Sequence, residues 1–186
     1  LAAVADKIED LAIEGGGSNE PTGITQTSGI GSVAIGTNGG APTWASIVNL
    51  VKEVEIDNAG INGNTQGFLT NPKVKSKLAS TPKVASTDSV MIKNEPYSSL
   101  YGYPVAFTTN VPSNLTKGST SGTCSAMIFG DFSQLMMGVF GGGPDVLVDP
   151  YTSSTSGTVR IVVMNEIDLA VRHAQSFAAC LDYTTT

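Results

Sequence analysis

An α+β chain is predicted by three features of the sequence. Apolar residues recur at helical spacing behind two capped starts, at Thr43 and Asn71. Short apolar runs follow, the densest being Ser125 to Phe129 and Leu135 to Phe140, separated by Gly130 and Asp131. Stretches rich in Gly, Ser, Thr and Asn join these elements. Together they give two clear helices, the end of another, and about seven strands.

Leu1, Val4, Ile8 and Leu11 recur at three- and four-residue steps, so residues 1–14 read as the end of a helix that Gly15-Gly16-Gly17 stops. Residues 15–42 form a loop in which the alternation from Ile30 to Ile35 fits one edge strand. Thr43 then caps a helix with the apolar stripe Trp44, Ile47, Val48, Val51 and Val54, and Asp57-Asn58-Ala59-Gly60 ends it. Asn62-Gly63-Asn64 is a turn and Gln66 to Thr70 a short strand. In the next helix Asn71 caps and Pro72 takes the first helical position, where its missing N–H costs nothing; Val74 and Leu78 face inward.

Residues 80–99, with Pro82, Pro96 and many hydroxyls, read as a long exposed loop. Val105 and Phe107 alternate with Ala106 and Thr108 as a strand, and Val111 to Thr123 is a second polar loop. The two dense apolar runs are expected to be strands covered on both faces. Gly141-Gly142-Gly143-Pro144 breaks the chain. Asp145 to Asp149 and Thr158 to Met164 then form the arms of a long hairpin around the loop Tyr151 to Gly157. Asp168 to Arg172 is the last strand-like element and leads into Ala174 to Ala179.

The 186 residues suffice for one sizeable core, or for a main domain with a smaller lobe. Only 14% of them are charged. The polar surface therefore comes from hydroxyls, amides and glycine, which lose less on burial than ions do. Such a surface suits large contacts between copies. The net charge of -6 and pI near 4.6 argue against a nucleic-acid-binding surface, which needs clustered Lys and Arg. The densest basic run, Lys73, Lys75 and Lys77, would splay around a helix as a solvated face. No apolar run reaches the roughly 18 residues of a membrane span, and no signal peptide is visible. The sequence opens at Leu1 without a Met, as expected of a fragment or a processed product.

Catalytic and metal motifs fail one by one. His173 is the single histidine, with no Ser or Cys partner that spacing can assign; it reads as a structural residue near an interface. Ser80-Thr81-Pro82-Lys83 matches Ser-x-x-Lys formally, but Pro82 does not suit the helix that motif requires. Asp57, Asn62 and Asn64 lack the closing acid of a calcium loop, because residue 68 is Phe. Gly29-x-Gly31 lacks the third glycine of a dinucleotide site. Asn114-Leu115-Thr116 is a formal sequon without meaning outside a secretory pathway. Cys124 and Cys180 have no metal spacing and read as buried free thiols rather than a disulfide. No cofactor is expected.

Five motifs, in order, carry a resemblance. They are Asn19-Glu20-Pro21-Thr22-Gly23-Ile24, Phe68-Leu69-Thr70-Asn71-Pro72, Leu100-Tyr101-Gly102-Tyr103-Pro104-Val105, Met127 to Ser133 around Gly130-Asp131-Phe132, and Val146-Leu147-Val148-Asp149-Pro150. This set resembles the C-terminal part of a tailed-bacteriophage major capsid protein of the HK97-like family. The resemblance implies an axial domain, a sheet flanked by helices, and part of a peripheral domain with a long β-hairpin. Carried over, residues 1–39 are the remainder of the peripheral domain and a linker, 40–144 the axial domain, 145–166 the hairpin, and 167–186 a return to the axial domain and a tail. The family's N-terminal arm, extended loop and most of its spine helix would precede Leu1. The hairpin position where some members form an isopeptide bond, near Thr158, has no asparagine, so no such bond is expected.

The function so implied is structural: an icosahedral phage or prophage shell built by self-association, through pentamers and hexamers. It would be located in the virion after assembly in the bacterial cytoplasm, with packaged DNA met only indirectly. Residues 1–186 alone would be a monomer or a weak oligomer. In the family, the loop before the Leu-x-Gly-x-Pro-Val strand points toward the five- or six-fold axis. Here the resemblance places Lys83, Asp88, Lys93, Glu95 and Tyr97 at that subunit contact. Two alternatives stay open: an encapsulin-like nanocompartment shell, and a hydrolase or ligand-binding domain with an unrecognised site. A pocket with convergent polar groups would favour the last.

Overall fold

The computed structural model describes residues 2–59, 65–84, 90–92 and 99–185. Helix α1 (Ala2–Glu14) stops at the expected glycines. Gly15 N–H donates to the Leu11 carbonyl at 3.0 Å, and Gly23 N–H donates to the Gly15 carbonyl at 2.8 Å. A Cβ on Gly23 would stand 2.7 Å from the Leu11 oxygen. The Glu20-Pro21-Thr22-Gly23 segment therefore ends in glycine because the chain folds back flat against the helix end.

Strand β1 (Gly31–Ser32) lies in the alternating stretch that predicted an edge strand. Helix α2 (Trp44–Ile56) begins at Thr43 as expected. Thr43 Oγ1 accepts from Ser46 N–H, and Ser46 Oγ accepts from Thr43 N–H, a capping box with serine in the place usually held by Glu or Gln. Its buried stripe is Ile47, Leu50, Val51 and Val54, while Trp44 and Val48 are only half-buried. Asn58 takes a φ of +53° just past the helix end. Strand β2 (Gln66–Thr70) leads into α3 (Pro72–Ser80). The Asn71 side chain accepts from Val74 N–H at 3.0 Å and donates to the Pro112 carbonyl at 3.1 Å. The cap thus also ties α3 to a distant loop. The turn expected at Asn62-Gly63-Asn64 lies outside the described residues.

The remaining strands are β3 (Ser99–Leu100), β4 (Tyr103–Phe107), β5 (Leu115–Lys117), β6 (Thr120–Asp131), β7 (Leu135–Asp149), β8 (Arg160–Val171) and β9 (Phe177–Thr184). Seven of the nine make one sheet in the order β1-β9-β6-β2-β4-β3, with β5 beside β6. The β2–β4 and β1–β9 pairs are parallel; β6 runs antiparallel to both β2 and β9. Alternation along β6 separates two cores. Met127 and Phe129 join the α2–α3 side with Phe68, Ala178 and Cys180, while Ala126 and Ile128 join Ile13, Ile24 and Phe177 on the other. Gly130 sits where β6 meets the start of β9, and a Cβ there would stand 2.5 Å from the Ser176 carbonyl oxygen.

Three expectations are corrected. The stretch Val111 to Thr123 is not all loop: Leu115 and Lys117 pair with Cys124 and Thr120 as a small hairpin. Asp168 to Arg172 is not the last strand: a 3-10 turn from Ala174 is followed by the buried strand β9, which lies in the main sheet. Most importantly, Leu135 to Phe140 is not covered on both faces. It is the base of an exposed two-stranded ribbon, β7 with β8, paired from Leu135↔Val171 to Asp149↔Arg160. The arms expected at Asp145–Asp149 and Thr158–Met164 are present, but the ribbon spans 135–171, because a register shift between Phe140 and Asp145 absorbs the Gly/Pro break.

Candidate assembly surfaces

The ribbon presents two different faces, because cross-strand partners share a face. On one, Met137 pairs with Leu169, Val139 with Ile167, and Val146 with Val163. Helix α1 lays Val4, Ile8 and Leu11 over its β8 side, near Val163 and Ile167. Asn165 is the polar member of this face, and its Oδ1 is buried with no hydrogen-bond partner. The other face mixes Phe140, Leu147 and Met164 with Asp145, Glu166 and Asp168. Large apolar side chains on both faces are half or more exposed, from Met136 and Phe140 at the base to Val148 and Ile161 near the tip. A two-stranded ribbon is marginal alone in water, and exposed apolar area of this extent marks an interaction surface.

A second surface lies at the β3–β4 turn. Trp44, Lys83, Met91, Ile92, Tyr101 and Gly102 line a shallow groove. The Lys83 ammonium lies over the Trp44 ring, and Tyr101 meets that ring edge-on. Of the five residues expected at the axial contact, Lys83 is in this groove; Asp88, Lys93, Glu95 and Tyr97 lie outside the described residues. Trp44 and Tyr101 were missed as surface residues. The signal available was the turn pair Tyr101-Gly102, with φ of +52° and +85°.

Three of the described carboxylates are held by local contacts. Burial tends to raise the Asp131 carboxyl, but hydrogen bonds from Thr65, Ser133 and Gln134 outweigh it and hold the group below the usual value. This explains the aspartate of the Gly-Asp-Phe segment, which caps the turn at Phe132 to Gln134. Burial, then the neighbouring Asp10, raises Glu14 at the end of α1. Buried Asp182 accepts from Ile35 N–H at 3.0 Å and from the Cys180 thiol at 3.1 Å, with the Lys117 ammonium 3.9 Å away. It fastens the residue-35 segment along the outer edge of β9.

The candidate motifs among the described residues do not converge into a reaction centre. Among the described residues no group of three or more His, Cys, Asp or Glu could hold a metal ion. His173 is exposed and its carbonyl accepts from Ser176 N–H. Ser80 Oγ donates to the Lys77 carbonyl, while Lys83 goes to Trp44, so the formal Ser-x-x-Lys pair does not meet. Cys124 and Cys180 are free and buried. No described helix is long and apolar enough to cross a membrane.

Comparison with known proteins gives a consistent picture. The profile described as the phage capsid family matches residues 1–180. No curated protein matches at a significant level. Among solved structures, the capsid of an empty GTA particle has 20% identity and a TM-score of 0.67, covering 98% of this chain and 65% of that one. A chain from Gordonia phage Cozz has 17% identity and a TM-score of 0.64, with 97% and 60% covered. The holo-SrpI encapsulin complex from Synechococcus elongatus has 16% identity and a TM-score of 0.58, with 99% and 63% covered. At these identities the likeness is one of fold. The chain spans less than two thirds of the length of these matched chains.

Proposed function

The chain belongs to the phage capsid family and has its HK97-like fold, and on that premise we propose that it is the shell-forming part of a major capsid protein. The observation that carries this reading is the β7–β8 ribbon, whose apolar side chains stand exposed on both faces and need neighbours to cover them. The work of such a protein is self-association into rings of five and six around symmetry axes. It requires no catalyst and no cofactor. Its place is the virion after assembly in the bacterial cytoplasm. Packaged DNA meets an acidic protein only indirectly.

In this reading the seven-stranded sheet with α2 and α3 is the axial domain. The ribbon at 135–171, with α1 beside it, belongs to the peripheral domain, so the expected boundary at residue 144 moves to about residue 134, where the ribbon starts. Lys83, Asp88, Lys93, Glu95 and Tyr97 are assigned to the axial ring contact. Residues 1–186 by themselves are read as a monomer or a weak ring. The encapsulin likeness is compatible with the same fold, but the family profile favours the capsid.

Electron microscopy of the full-length protein tests this. Closed icosahedral particles are expected on expression. A protein that stays monomeric at high concentration would overturn the shell reading.

A further inference from the structure

Two small patches at opposite ends of α2 complement each other. At its start, Trp44 lines the groove with Lys83, Met91 and Tyr101, the last two being 38% and 47% exposed. The groove offers apolar and aromatic surface around one ammonium. Tyr101 adopts a left-handed φ of +52°, a costly conformation for a residue with a side chain, which holds its ring against Trp44. At the other end of the helix Ile56 is 65% exposed, an apolar side chain set among acids. Glu53 lies one turn before it on the same face, and Asp57 follows it at the helix end. Glu53 lies 3.2 Å from Lys52, whereas Asp57 makes no ion pair among the described residues. The two ends are twelve residues apart, about 18 Å along a helix. The groove opens at the β3–β4 turn on one side of the sheet. Glu53 stands beside Gly31 of β1, the opposite edge strand.

We propose that Ile56 and Asp57 of one copy dock in the Trp44–Lys83–Tyr101 groove of the next, Ile56 against the rings and the Asp57 carboxylate facing the Lys83 ammonium. The inference rests on the self-association reading and deepens it. Two different patches on opposite edges make a heterologous contact, which closes a ring rather than a dimer. Tyr and Trp supply the anchor energy of such contacts, and the opposite charges set register and encounter.

The test uses the full-length protein, with association followed by mass photometry and folding by thermal melts. Lys83→Glu and Asp57→Lys should each weaken ring association by about tenfold or more, as loss of a charge-matched contact does. Asp57→Lys should melt like the wild type, while Lys83→Glu should melt slightly lower because it also loses its contact with the Trp44 ring. The double variant should restore rings, because each contact again joins opposite charges. An equal mixture of the two single variants should form alternating rings of even size, six but not five, since each contact between unlike copies joins opposite charges and each contact between like copies joins equal ones. Ile56→Asp, at a position that touches neither Lys83 nor the core, should also block rings. Normal assembly of Ile56→Asp, or a double variant no better than the singles, would place the ring contact elsewhere or with another partner. Wild-type protein that does not self-associate at all would instead overturn the shell reading, and this contact with it.

Discussion

The Lys83 ammonium rests 4.2 Å from the centroid of the Trp44 ring, and Tyr101 closes on the same ring at 5.6 Å. Trp44 heads the apolar pattern of α2, yet it is a half-buried clasp rather than a core residue. Trp44→Ala should therefore cost about 2 kcal/mol, below the roughly 3–5 kcal/mol of a fully buried tryptophan and including about 0.5–1 kcal/mol of cation–π attraction. Urea unfolding should show a lower midpoint at unchanged slope. A loss above about 4 kcal/mol would mean that the ring is part of the core.

Tyr183 joins the end of the chain to the start of α2. It is fully buried, and its hydroxyl lies 2.8 Å from Ser46 Oγ, inside the capping box. Tyr183→Phe keeps the ring and removes that bond, so a loss of about 1 kcal/mol is expected. Ser46→Ala breaks the box as well and should cost more, about 2 kcal/mol. Equal losses would mean that the Tyr183 hydroxyl contributes everything.

Asp131 makes stability depend on pH. Its folded carboxyl sits below the ordinary value, so the folded state binds this proton less readily than the unfolded state does. Its contribution is complete above the unfolded value, near 4, and fades as pH falls through the folded one. Asp131→Asn should flatten the acid limb of a stability–pH curve, and Asp131→Ala should cost about 1–2 kcal/mol near neutrality. An unchanged acid limb in Asp131→Asn would transfer the effect to other carboxyls.

Both thiols should be silent in the folded protein. Cys124 and Cys180 are buried, and burial pushes the Cys180 thiol far above its ordinary value. The thiolate is the reactive form. Ellman's reagent at mildly alkaline pH should label neither cysteine in buffer and both in guanidinium chloride. Rapid labelling of one in buffer would show that β6 or β9 opens locally.

Local chemistry was legible in the sequence. Thr43 and the Asn71-Pro72 pair mark their helix starts within three or four residues, and the structure uses both as caps. The hairpin arms were legible from alternation. What distant residues decide was not. Periodicity cannot tell a strand covered by its own domain from one awaiting a neighbour, so Leu135 to Phe140 read as core. Gly141 to Pro144 carries a break signal, but pairing with β8 bridges it with a register shift. The placing of β9 between β1 and β6 is a matter of long-range pairing that no local window holds. At the groove beside the β3–β4 turn, the resemblance pointed to Lys83, while its partners Trp44 and Tyr101 look apolar in sequence and so like core.

The strand that holds the main sheet together, β9, lies far along the chain from the partners it joins. β9 fills the gap between β1 and β6 and brings Phe177, Ala178, Cys180 and Tyr183 into both cores. A nascent chain therefore cannot finish its fold while residues 177–184 remain in the ribosomal tunnel. Until they emerge, one edge of β6 lies open with Met127 and Phe129 beside it, a template for wrong pairing between chains on neighbouring ribosomes. Truncation just before β9 would leave β1 without a partner and one edge of β6 open, and no stable sheet is expected from what remains.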